Sequence, residues 1–133
     1  MSGTLLTNCQ VLTGAGSFTL AAGATLGICD VNGIAASGAT GAGQTSGVRS
    51  FAPDATHVYN GAQAQSTGTG LPVVVRALTV ANPANVGLSA PVAIAQTLTV
   101  GAAGDLALNG QALTLLSSAT GTALVVNGGA RSW

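Results

Sequence analysis

The stretch DLALNGQALTLL, residues 105–116, admits two incompatible folds. Two alternating apolar pairs, Leu106/Leu108 and Leu113/Leu115, flank the dipeptide Asn109-Gly110. Asn-Gly between such pairs is the strongest short-range hairpin signal, because both central residues of a type I′ turn need φ > 0. The same dipeptide also suits the corner of a coil, where the flanking strands pair with the next coil and not with each other. Only the surrounding sequence can choose.

Working outward, similar pairs recur at Leu78/Val80, Val86/Leu88, Val92/Ile94, Leu98/Val100 and Leu124/Val126. Each i, i+2 alternation fits a strand with one buried face. Helix signals are nearly absent, with Gly or Pro every few residues. The spacing between pairs decides the reading. Leu78 to Leu98 and Val80 to Val100 are 20 residues, as are Val86 to Leu106 and Leu88 to Leu108. Val92 to Leu113 and Ile94 to Leu115 are 21. Upstream, Val58 sits 20 before Leu78, and Leu6 sits 20 before Leu26.

A hairpin meander or sandwich predicts no such constant offset. The spacing therefore predicts an all-β fold, a parallel β-solenoid (β-helix) with three short strands per coil of about 20 residues. The 133 residues make one domain, 1–133, of about six to seven coils. The pattern weakens near 35–57, which reads as a loop or a loosely patterned coil. The inward ladders are expected at Leu78, Val80, Val86, Leu88, Val92, Ile94, Leu98, Val100, Leu106, Leu108, Leu113 and Leu115. Corners needing left-handed residues are expected at Asn32-Gly33, Asn60-Gly61, Asn109-Gly110 and Asn127-Gly128. On this reading DLALNGQALTLL turns a corner.

Cys9 and Cys29 are also 20 apart. On adjacent coils their Cα atoms would be about 4.8 Å apart, inside the disulfide window. A bridge would point to an oxidising compartment. The alternative is a pair of small buried thiols in a ladder.

Charge is scarce. Arg49, Arg76, Arg131, Asp30, Asp54 and Asp105 are the complete set, 5% of the chain against roughly a quarter in ordinary domains. This argues against a nucleic-acid partner, which needs clustered cations. No apolar run approaches the ~18 residues of a spanning helix, and the short alternations do not suit a transmembrane barrel. No membrane insertion is expected. Residues 1–10, MSGTLLTNCQ, lack the basic start and long apolar stretch of a signal peptide, so Met1 is expected to open an excised segment.

The run GAGSFTLAAGATLGICDVNGI (14–34) resembles a unit of the β-strand repeat proteins, a class of large secreted bacterial surface proteins. The stretches TSGVRSFAPDATHVYNGAQAQSTGTGLP (45–72) and VRALTVANPANVGLSAPVAIAQTLTVGAAGDLALNGQALTL (75–115) resemble it too. GATLGI, VYNG, GLP and LSAPV are the most specific phrases. Many members are adhesin-like and carry a type IX secretion sorting signal at the far C-terminus. The resemblance implies a β-solenoid segment of an exported, cell-surface filamentous protein, and it brings no catalytic motif.

Little chemistry is expected. His57, Asp54 and Ser50, with Tyr59 nearby, could be imagined as a nucleophilic set, but no GxSxG elbow supports it. His57 reads as a surface histidine beside a loop acid. Polysaccharide-cleaving β-helices need paired carboxylates, and three Asp with no Glu make a pair hard to assemble. GAAGD (101–105) has the wrong spacing for a calcium-binding repeat, and Cys9, Cys29 and His57 are too few for zinc. No catalytic residue, metal or cofactor is expected. Thr97/Thr99 and Thr67/Thr69 lack the constant ladder that an ice-binding wall would need, and they are expected to face solvent.

Two roles remain. The first is structural: a stalk or filament segment whose uncapped ends stack on another copy of the chain. The second is a carbohydrate-binding adhesin module for surface glycans, for which Tyr59 and Trp133 are the only Tyr and Trp.

Overall fold

The computed structural model describes residues 3–117 and 123–127. Among these the chain is all β, with no helix. The strands in order are β1 (Thr4–Leu6), β2 (Leu12–Gly14), β3 (Phe18–Leu20), β4 (Thr25–Ile28) and β5 (Gly43–Thr45). Next come β6 (Arg49–Phe51), β7 (Thr56–Tyr59), β8 (Gln65–Ser66), β9 (Val74–Val80) and β10 (Val86–Gly87). The last are β11 (Val92–Val100), β12 (Leu106–Ala107), β13 (Leu113–Leu115) and β14 (Leu124–Asn127).

Every strand pairing among the described residues is parallel. One seven-stranded sheet runs β1-β4-β7-β9-β11-β13, with β14 also on β11. Smaller sheets run β12-β10-β8, β2-β5 and β3-β6.

Residues 105–116 show how this arises. Asn109 and Gly110 have φ of 53° and 75°, and the Gln111 N–H donates to the Leu108 carbonyl at 2.8 Å. This is a turn of the hairpin kind. Its flanking strands nevertheless part company. Leu106 lies opposite Val86, while Leu113 and Leu115 lie opposite Val92 and Ile94. Asn8 and Cys9, at φ 50° and 62°, make the same turn between Thr7 and Gln10.

The main sheet buries two adjacent ladders. Leu26, His57, Leu78 and Leu98 are successive neighbours in one, and Ile28, Tyr59, Val80 and Val100 in the other. All eight are buried, and each aliphatic contributes roughly 1.5–3 kcal/mol by leaving water. Val86, Leu88, Val92 and Ile94 are buried as well.

Upstream, the register differs by one from the sequence spacing. Leu5, not Leu6, lies opposite Leu26, and His57 lies opposite Leu78. A one-residue shift exchanges the faces of a strand. Leu6 is consequently 52% exposed, while His57 and Tyr59 turn inward. Burial of Ala55 and the Tyr59 ring carries His57 in with them, because alternate residues share a face.

Two further ladder expectations are corrected. Leu108 and Leu115 are each 41% exposed. β12 and β13 end their sheet orders, so no described strand lies beyond them to cover these side chains. Leu113 is half-buried for the same reason.

The weakly patterned region near 35–57 holds β5, β6 and the start of β7. It is obscured by an excursion. Leu26 to its partner His57 is 31 residues, against 21 from Leu5 to Leu26. The Ala42 N–H closes the excursion on the Gly33 carbonyl at 2.8 Å. Its outgoing limb follows 67–70, with Ile34 N–H donating to Thr67 O and Gly70 N–H to Ile34 O. Its return meets the start of β2, where Leu12 N–H donates to Ala42 O. The fit is close enough that a Cβ on Gly68, at φ +84°, would strike the Ile34 carbonyl.

Candidate functional site

Two polar assemblies and one covalent link stand out from the aliphatic ladders. The first assembly begins with His57, which β7 holds at 0% exposure with neither ring nitrogen hydrogen-bonded. Burial without a partner disfavours the imidazolium and lowers the pKa from 6.5 to about 4. The expected surface histidine is thus a core residue. Ser50 is exposed and Asp54 pairs elsewhere, its Oδ1 3.5 Å from Arg76 Nε. The imagined Ser50, Asp54 and His57 set is not assembled.

Tyr59 is fully buried, and its hydroxyl donates to the Thr67 carbonyl at 2.8 Å. Burial raises its pKa far above the ordinary phenol value. It therefore offers no aromatic platform to a sugar, and Trp133 lies outside the described residues. Thr67, expected to face solvent, is 1% exposed, and its Oγ1 accepts the Ser89 N–H at 3.0 Å. Thr97 and Thr99 are half-buried, and Thr69 is exposed.

Around the corner from Tyr59, Gln65 and Asn82 tie three successive segments together. Gln65 Nε2 donates to the carbonyls of Ile28 and Asp30, each at 2.9 Å. Its Oε1 accepts from Gly61 N–H and from Asn82 Nδ2, also at 2.9 Å. Asn82 Oδ1 in turn accepts from the Ala84 and Asn85 N–H groups. These buried amides satisfy corner backbone groups that no strand can reach. Sequence reasoning missed them. The Asn82-Pro83 turn signal was the available hint.

The residue pairs expected at corners divide by mechanism. Gly33 has φ +67° in a turn where Asp30 Oδ1 accepts the Asn32 N–H at 2.8 Å. Neither Asn60 nor Gly61 has positive φ. Gly61 serves by close approach, since a Cβ there would lie 2.8 Å from both the Cys29 carbonyl and the Gln65 side chain. Asn127 ends β14, and Gly128 lies outside the described residues.

The covalent link joins Cys9 to Cys29 across a sequence separation of 20, with Cα atoms 4.7 Å apart. It fastens the Asn8-Cys9 turn to the residue following β4.

The second assembly centres on Arg49 of β6. Nε donates to Thr45 O at 2.9 Å, Nη1 to Ala35 O at 3.2 Å, and Nη2 to Gly38 O. One guanidinium thus straps the excursion to the body. Among the described residues no group of three or more His, Cys, Asp or Glu could hold a metal ion. In comparisons with known proteins, no family model, curated protein or solved structure matches the chain.

Proposed function

We propose that this chain is a parallel β-solenoid of three short strands per coil, serving as a structural segment of an extracellular bacterial surface filament or adhesin stalk. Copies stack end to end. The observation that carries the reading is the pair of apolar edges left by the outermost described strands. Leu6, Val11 and Leu12 are exposed at one, and Leu108, Leu115 and Leu116 at the other. Soluble sheet proteins usually guard such edges with charge, Pro or a covering element. Here Lys and Glu are absent from the whole chain. A second copy offering its opposite edge would continue each parallel ladder and cover these side chains in one step. The Cys9–Cys29 bridge supports an oxidising, extracellular setting.

Electron microscopy and analytical ultracentrifugation of the purified chain test this. Filaments and a mass that rises with concentration are expected. A monomer that persists at high concentration overturns the stacking role.

A further inference from the structure

We propose that the hollow beneath the Arg49 strap binds a carboxylate-bearing sugar, a hexuronate or a short oligomer of one, with the guanidinium as its anchor. The hollow is open to solvent and holds about 410 Å³, lined by Ser37, Gln44, Thr45, Ser46 and Arg49 together with small residues. That size falls within the ~300–1,000 Å³ usual for small-molecule sites.

Arg49 is the unusual element. A guanidinium carries five N–H donors. Three are spent on carbonyl oxygens, which neutralise no charge. Two donors and the full positive charge remain. Among the described residues no carboxylate pairs with it, whereas Arg76 has Asp54. The three carbonyl bonds hold the fork in one orientation, so little side-chain freedom is left to lose when a carboxylate arrives. A charge-assisted, two-point contact is what such a fork makes best.

The rest of the lining selects the body attached to the carboxylate. Gln44 Nε2 is committed to the Gly41 carbonyl at 3.2 Å, which leaves its amide oxygen to accept from a hydroxyl. Ser37 and Ser46 contribute hydroxyls, and no large apolar side chain lines the hollow. Thr45 is buried with its Oγ1 sealed from solvent, so its part is the carbonyl that holds Arg49 Nε. Hydroxyl and amide groups around one fixed cation suit a polyhydroxylated acid better than an apolar peptide. The inference does not depend on end-to-end stacking, and it is tested on dilute chain.

The experiment is an amide NMR titration of the full chain with digalacturonate, its methyl ester, acetate and tri-aspartate. Digalacturonate is expected to shift amides at 44–47 and to lose affinity as salt rises. The ester should bind about tenfold more weakly or worse. Arg49→Gln should lose binding similarly, but it also releases the strap. Ser37→Asp is the cleaner variant, because it places a carboxylate in the same hollow and keeps the strap bonds. It too should weaken digalacturonate about tenfold. Equal affinity for acid and ester, unchanged binding by Ser37→Asp, or no shift at 44–47 overturns the site. Acetate or tri-aspartate binding as tightly as digalacturonate overturns the sugar.

Discussion

Between Leu26 and Leu78 the inner ladder carries an imidazole where aliphatic side chains stand on either side. It is tolerated because the ring stays neutral, which ties the fold to pH. Its folded pKa of about 4 lies below the ordinary 6.5. Between those values the unfolded chain takes up a proton that the folded chain refuses, so stability falls as pH drops. The contribution is fully present above about pH 6.5 and is lost by about pH 4, roughly 3 kcal/mol in all. Urea unfolding at pH 7.5 and pH 4.5 should show most of that difference, and His57→Leu should flatten it. A profile equally steep in His57→Leu would exclude His57 as the source. A second contrast tests the ladder directly. Leu98→Asp puts an unpaired charge at a position of 0% exposure, and should cost about 3–5 kcal/mol. Leu108→Asp, at 41% exposure, should cost under about 1 kcal/mol in the same denaturation assay. Leu78 and Leu98 were legible because both partners are aliphatic and 20 apart. His57 was not, since Val58 was the more plausible apolar choice and a single-residue slip inverts the face.

At the scale of elements, the first segment is held on one side only among the described residues. β1, β2 and β3 each pair with a single later strand, β4, β5 and β6 respectively. The Cys9–Cys29 link therefore matters most here. Reduction should lower stability by about 3 kcal/mol for a loop of this length. Hydrogen exchange should then quicken through β1–β3 and leave β9 and β11 protected. Uniform exchange along the chain would show that the link does not secure this end. The short parallel strands and the 20-residue spacing of the second half were visible in the sequence. The excursion was not, because its Gly, Ala, Ser and Thr carry no apolar rhythm. Its course depends on backbone contacts, such as Ile34 with Thr67 and Gly70, that no side-chain pattern announces. Asn109-Gly110 was correctly a turn signal in chemistry, yet turn chemistry alone does not say which strands it joins.

For the molecule as a whole, the two apolar edges set the expected behaviour. If stacking runs edge to edge, charging one edge should stop growth without unfolding the chain. Leu6→Lys with Leu12→Lys should leave a monomer of native secondary structure by sedimentation and circular dichroism. Filaments undiminished in that variant would move the contact away from β1 and β2. The bridge between Cys9 and Cys29 has a further consequence under tension. A chain pulled from residue 3 would unzip its parallel hydrogen bonds nearly one at a time, a soft mode of failure. The disulfide stops that after residue 9. Tension then passes across the sulfur pair directly to residue 29, and residues 10–28 carry no load and keep the pairings of β2–β4, withholding about 65–70 Å of extended chain. In single-molecule stretching, a reductant should release that length as a discrete added step. The bridge is then a limiter on how far the segment can lengthen before load bypasses β2–β4 and reaches residue 29.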